Sequence, residues 1–186
     1  MKRLFDILLA FLLSLFFIWL IILVAIIIRI NSNGPSLYWS ARVGKNNNIF
    51  NMPKFRSMLV SSPNIATHLI KNAEDFITPF GSFLRRSSID ELPQLFSILK
   101  GDMSFVGPRP ALFNQEDLIK LRKANGVDKL TPGLTGWAQV NGRDNISIND
   151  KVKLDLDYLN NISLWFDLKI LWLTFLKVFH NKDISH

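Results

Sequence analysis

From Ile7 to Ile28 no side chain carries a charge, and no other feature of this chain constrains its fold as strongly. The run is built of Leu, Ile, Phe, Val and Ala, with Ser14 as its polar interruption. About 20 apolar residues suffice to cross the hydrocarbon core of a bilayer as a helix. A signal peptide has a shorter apolar core and a small-residue cleavage site. This run instead ends in Ile26-Ile27-Ile28-Arg29-Ile30, so residues 1–30 read as a retained membrane anchor. Its orientation stays open. Basic residues mark the cytoplasmic side of an anchor, and here both flanks qualify, with Lys2 and Arg3 before the run and Arg29, Arg42 and Lys45 after it. One reading is a spanning helix with a weak charge bias. The other is a helix that dips into one leaflet and returns, leaving both ends cytoplasmic. A bend in lipid needs partners for its freed backbone groups, and Ser14 is the one candidate to mark it, since the run holds no Pro.

Beyond the anchor the chain is polar and basic, and the formal net charge is +7. Such a charge suits nucleic acid, anionic lipid headgroups or a phosphorylated substrate. The basic residues are dispersed with no run of five, which argues against a disordered nucleic-acid arm. The absence of cysteine excludes disulfides, thiolate catalysis and Cys-based zinc sites. The histidines, His68, His180 and His186, are too scattered for a His-rich metal centre.

Asn31 to Pro35 reads as the turn that ends the anchor helix. Ser36 to Arg42 and Asn48 to Met58 read as strands around an Asn-rich turn at Lys45 to Asn48. Ser61 to Phe80 is expected to be a loop with a short helix. Ser88-Ile89-Asp90-Glu91 fits a capping box, with Ser88 as N-cap and Glu91 three positions on. Leu92, Leu95, Phe96 and Leu99 then form an apolar helix face, with Pro93 in the first turns and Gly101 as the stop. Ser104 to Pro110 is expected to be a rigid loop that fixes Arg109 between two prolines. Asn114 to Ala124 is a charged helix pattern. Thr131 to Gly136 and Asn141 to Asp144 read as Gly-containing turns. Ile148 to Leu159 alternates Lys and Asp around Val152, Leu154, Leu156 and Leu159. Ser163 to Phe179 is strongly apolar, but Asp167, Lys169 and Lys177 suit it better to the membrane interface, or to packing on the anchor, than to spanning.

Five groups of residues are candidates for chemistry. Asp90-Glu91 at a helix start sits where the dipole and free N–H groups favour anions. An ionised carboxylate that reaches a phosphorus atom is a possible nucleophile, and a neighbouring one can bind Mg²⁺; taken alone, the pair is more simply read as ordinary helix capping. Arg109 in Gly107-Pro108-Arg109-Pro110 can bind phosphate oxygens in bidentate fashion, or be a solvated turn residue. Arg85 and Arg86 reach the same anion site or pair with Asp90 or Glu91. Lys54 and Arg56 share a strand face at i and i+2, so both can point at one ligand. Arg143, after Asn141-Gly142, either contacts a phosphate or decorates a hairpin turn. No Walker A, Gly-x-Gly-x-x-Gly or Gly-x-Ser-x-Gly string is present, so kinase, dinucleotide and α/β-hydrolase readings lack support.

Together these segments resemble the bacterial monotopic phosphoglycosyl transferase family in its small single-domain form. The matching pieces are Lys2-Arg3-Leu4-Phe5-Asp6, Ala41-Arg42-Val43-Gly44, Lys54-Phe55-Arg56-Ser57-Met58, the stretch from Arg85 to Pro110, and Pro132 to Arg143. They cover nearly the whole chain, in order. The resemblance implies that Asp90 attacks the β-phosphate of a UDP-sugar and releases UMP. The phospho-sugar held on Asp90 then passes to a polyprenol (undecaprenyl) phosphate, as the first membrane step of glycoconjugate synthesis. It further implies that Glu91 is the Mg²⁺-associated partner, and that Arg85, Arg109 and Arg143 contact phosphate. Phosphoryl transfer mainly needs position and positive charge, and the basic composition agrees with that. Two places depart from the family pattern. Its re-entrant anchor breaks at a Ser-Pro pair, where this chain has Ile18-Trp19. A Gly after Gly44 is replaced by Asn46-Asn47-Asn48, and Asn tolerates the left-handed turn.

The expected architecture is α+β. It comprises an N-terminal, re-entrant membrane helix over residues 1–30 and a small, mostly helical catalytic domain over residues 31–186. Short strands and interfacial amphipathic helices complete it, on the cytoplasmic face of a bacterial inner membrane. The expected partners are a UDP-sugar, polyprenol phosphate, membrane lipids and downstream glycosyltransferases, with no nucleic acid. The competing reading is a non-enzymatic membrane-surface module, which explains the anchor and the charge but does not require Asp90-Glu91 beside several arginines.

Overall fold

The structure, a computed structural model, describes residues 1–62, 73–142 and 146–180. With no Pro or Gly to interrupt it, the apolar run forms one continuous helix, α1, Lys2–Asn31. Ser14, the candidate for a bend, returns its hydroxyl to Ala10 O at 2.7 Å inside unbroken helix. The helix stops where the Ser32 N–H closes on Ile28 O, before Gly34 adopts φ 112. Its buried residues are Asp6, Ala10, Val24 and Ile28. A separation of 18 residues is five helical turns, so all four lie on one face. The two ends of that face pack on different parts of the same body. Ala10 joins Leu95, Ile98, Phe105, Val106 and Ile170 in the main core. Val24 and Ile28 join Phe55 and Leu84 in a second cluster. Leu8, Leu12, Leu15, Phe16, Trp19 and Ile26 stay exposed.

The strands expected on either side of the Asn-rich turn form an antiparallel hairpin, β1 (Leu37–Val43) and β2 (Ile49–Phe55), in register from Leu37↔Phe55 to Val43↔Ile49. Asn46 and Asn47 take the left-handed conformations that the turn requires, at φ 55 and 60. Thr78 caps α2 (Pro79–Arg86) by accepting the Gly81 N–H at 3.0 Å. The capping box does not form. Ser88 sits at φ 55 with its side chain capping nothing, and Ile89–Glu91 is a single 3₁₀ turn. Pro93 explains this, because a helix begun at Ser88 would carry Pro93 in its interior, where its ring meets the preceding turn. The helix α3, Gln94–Lys100, starts just after Pro93 and stops at Gly101, φ 103. Its buried apolar face is Leu95 and Ile98; Phe96, expected inside, is 60% exposed.

The expected loop at Ser104 and the expected turn at Thr131 are also corrected. Ser104–Val106 is a strand, β3, and a short β4 (Ala111–Leu112) follows it and pairs with the β1 end. Gly133–Thr135 is β5, parallel to β3 with Ser104↔Gly133 and Val106↔Thr135. The glycines read as turn formers serve a close crossing. A side chain at Gly133 would collide with the Gly107 backbone, and one at Gly136 with the Gly107 carbonyl.

The remaining helices are α4 (Glu116–Ala124), α5 (Trp137–Asn141), α6 (Ile148–Asn160) and α7 (Leu164–His180). Ile170 of α7 is buried in the core that holds Ala10 of α1, so α7 does pack on the anchor. Trp165, Leu168, Trp172 and Phe175 leave an apolar face exposed. Polar contacts fasten the start of α1. Lys2 pairs with buried Asp167 at 2.6 Å, and Tyr158 donates to the same carboxylate at 2.7 Å. Arg3 donates to Ile98 O at 2.5 Å and Leu99 O at 2.8 Å, covering the last carbonyls of α3. Asp6 accepts the Phe105 N–H at 3.2 Å, tying α1 to β3.

Candidate active site

A 3₁₀ turn repeats every three residues, so Ile89 and Leu92 fall on one side of their turn. Both pack into the cluster of Val24, Ile28, Phe55 and Leu84. Asp90 and Glu91 are thereby turned away from α1 toward the hairpin and the loop after β3. Lys54 of β2 meets Glu91, Nζ to Oε1, at 2.7 Å. Arg109, from the loop between β3 and β4, stands 3.6 Å from the same oxygen through Nη2. Arg85, in the last turn of α2, lies near enough for its charge to act on Asp90. Arg86 is exposed.

The two members of the pair differ in environment. Glu91 is held by two cations, whereas burial dominates at Asp90 and lifts its carboxyl to about 6. Lys54 opposes that rise, Glu91 adds to it, and Arg85 and Arg109 oppose it. The helix start was expected to hold Asp90 low. It does not, because the 3₁₀ turn precedes α3 and desolvation outweighs the nearby positive charge. At neutral pH the carboxylate still predominates. The cost of its burial is a less stabilised anion, hence a more reactive one.

The structure brings Asp90, Glu91, Lys54, Arg85 and Arg109 together. It does not bring Arg56 to them. The strand ends at Phe55, and the buried Arg56 guanidinium turns back to the end of α1, donating to Ser32 Oγ at 2.7 Å. Alternation along a strand carried that residue one step too far. Arg143 lies outside the described residues, as does His68. Arg42, in sequence only a basic flank of the anchor and part of Ala41-Arg42-Val43-Gly44, joins the residues around Asp90 and Glu91. It donates to Ser40 Oγ at 3.0 Å and to Pro110 O at 3.2 Å. Burial and the Arg109 charge bring its guanidinium down to about 10, with Tyr38 and Glu91 acting the other way. Counting alternate positions from Tyr38, which faces Lys54 across the hairpin, would have placed Arg42 on the same strand face.

Among the described residues no group of three or more His, Cys, Asp or Glu is placed to cage a metal. A Mg²⁺ ion that kept several waters would need only one or two protein carboxylates, and Glu91 could supply one. A separate groove of about 700 Å³ lies between the C-terminal half of α1 and the start of β1. Its walls include Ile22, Ala25, Ile26, Leu37 and Trp39, with Arg29 as the charged lining residue.

A carboxylate pair with four cations around it thus lies near the C-terminal half of a long apolar helix, and such an arrangement suits anionic ligands. The chain belongs to the bacterial sugar transferase family, whose model matches residues 1–181. It is 39% identical over 190 residues to the UDP-glucose:undecaprenyl-phosphate glucose-1-phosphate transferase of Escherichia coli (strain K12), covering 98% of this chain and 41% of that protein. It is 39% identical over 159 residues to the undecaprenyl-phosphate galactose phosphotransferase of Salmonella typhimurium, covering 76% of this chain and 33% of that protein. The chain thus spans well under half the length of both. Against the uncharacterised sugar transferase EpsL of Bacillus subtilis it is 38% identical over 185 residues, covering 100% of this chain and 90% of that protein.

Proposed function

We propose that this chain is a phosphoglycosyl transferase that moves a sugar-1-phosphate from a UDP-sugar to undecaprenyl phosphate. An Asp90 carboxylate oxygen forms a bond to the β-phosphorus. The bond from that phosphorus to the oxygen bridging the two phosphates breaks, and UMP leaves with the electron pair. An oxygen of the lipid phosphate then attacks the same phosphorus, the bond to Asp90 breaks, and the carboxylate is restored. Arg42, Lys54, Arg85 and Arg109 supply positive charge where phosphate oxygens gather, which is the main demand of phosphoryl transfer. Mg²⁺ bound with the diphosphate would take Glu91 as a ligand and neutralise phosphate charge. The observation that carries this reading is the contrast within the pair: Glu91 is ion-paired, and Asp90 is a desolvated carboxylate among cations.

The membrane part follows from α1. Thirty residues of helix span about 45 Å, yet both ends of one face are fastened to the same body. A helix crossing the bilayer upright would carry one of those attachments through the hydrocarbon. A helix lying shallowly in one leaflet, with both ends on the cytoplasmic side of a bacterial inner membrane, keeps both attachments in water, and α7 lays its exposed aromatic face on the same surface. The groove beside Arg29 suits the hydrocarbon of a lipid acceptor.

The names of the relatives make UDP-glucose and UDP-galactose the first donors to try. The full chain in detergent, with Mg²⁺ and undecaprenyl phosphate, is expected to release UMP from at least one UDP-sugar in a panel. Asp90→Asn is expected to lower that release by on the order of 10³-fold or more. Full activity in the variant would sink the nucleophile assignment.

A further inference from the structure

Pro108 and Pro110 have no N–H to give, so the segment that presents Arg109 offers mainly carbonyls by which the protein can hold it. Each is taken. Gly133 N–H donates to Pro108 O at 3.0 Å, Arg42 Nη1 to Pro110 O at 3.2 Å, and Arg122 Nη1 to Arg109 O at 2.8 Å. Arg122 lies on α4 and is itself buried, as is its partner Asp155 on α6. Arg122 Nε and Nη2 both donate to Asp155 Oδ2, at 2.9 and 2.7 Å. That two-pronged pair fixes the plane of the guanidinium and leaves its third donor aimed at the loop.

We propose that Arg122 and Asp155 are positioning residues that hold the Arg109 backbone so that its guanidinium stands beside Glu91. This rests on the phosphoglycosyl transferase reading only for its kinetic consequence; the bracing itself does not. Neither residue needs to touch substrate. A pair that merely joined α4 to α6 would be complete with the two bonds to Asp155. The third, across to Arg109 O, ties those helices to the site. A displacement of about 1 Å in a phosphate-binding group can lower a rate by about 10²-fold.

Removing one partner alone would leave a buried charge and destabilise the fold, so the informative variant removes both. Replacing a buried ion pair by apolar residues of similar volume is often neutral for stability, so Arg122→Met with Asp155→Leu is the variant to test. It is expected to melt within a few degrees of the parent. Its kcat with the preferred UDP-sugar should fall by tenfold or more, with KM for undecaprenyl phosphate within twofold. Placed on Arg109→Ala, the same two changes should cost nothing further, because the group they position is already gone. Arg122→Lys, which has no planar fork, should fall between parent and double variant in kcat. Independently of turnover, the Arg109 and Ala111 amides should exchange hydrogen at least tenfold faster in the double variant, with α4 and α6 unchanged. Unchanged exchange in that loop would overturn the proposal whether or not the protein turns over. So would kcat near the parent's, or losses that multiply with those of Arg109→Ala. Absence of turnover by the parent on every UDP-sugar would count against the enzymatic reading, while the exchange result still decides the bracing.

Discussion

Asp90 and Glu91 are neighbours in the chain with opposite surroundings. Lys54 and Arg109 pair with Glu91, while burial lifts Asp90 to about 6. A nucleophile must be ionised, so UMP release should fall as pH drops through about 6. Stability should move the other way. A carboxyl raised above its unfolded value favours the folded state below the unfolded value, and that contribution is lost as pH rises through the folded one. Melting curves from pH 5 to 8 check this. Asp90→Asn should melt above the parent at pH 8, and the gap should narrow toward pH 5. A gap independent of pH would mean that Asp90 is not the group responsible. Asp90, Glu91, Arg85, Arg109 and Lys54 were legible because their strings are distinctive and physically apt for phosphate. Arg42 was not, because its part depends on which strand face meets the site. Arg56 was misplaced for the converse reason: its spacing suits a strand that ends one residue earlier.

At the scale of elements, the hairpin and α1, α4, α6 and α7 follow from periodicity, since local pattern and burial agree there. Local pattern misleads where a rigid residue decides the backbone. Pro93 moves the start of α3 past the apparent capping box. The glycines near Thr131 read as turns because a two-strand parallel contact is non-local and leaves no periodic trace. What they permit is the backbone crossing of β3 and β5. Gly133→Ala therefore forces backbone apart, and should cost at least the ~1–3 kcal/mol typical of overpacking. It should also disturb Arg109, whose loop hangs from Gly133 N–H through Pro108 O. Thermal melting and UMP release in parallel test this: both should drop. A variant with unchanged melting would show that the crossing tolerates a methyl group.

For the whole molecule, the decisive feature is that one apolar helix is fastened at both ends to one catalytic body. Only the apolar run was evident in the sequence; the shared face of Asp6, Ala10, Val24 and Ile28 emerges when their partners are seen. Impermeant labels on cysteines introduced at Met1 and Asn33 should react from the same side of sealed membrane vesicles. Reaction from opposite sides would refute the proposed arrangement with both helix ends on one side. In the reaction proposed above, a soluble donor and a lipid acceptor meet one carboxylate in turn, through a phospho-sugar on Asp90. The most direct measurement gives the full chain a UDP-sugar labelled at the β-phosphate, with Mg²⁺ and no lipid acceptor. Label on the protein should approach one per chain, be released when undecaprenyl phosphate is added and be absent from Asp90→Asn. Transfer to lipid without any labelled protein, or equal labelling of the Asn variant, would contradict the phospho-sugar intermediate.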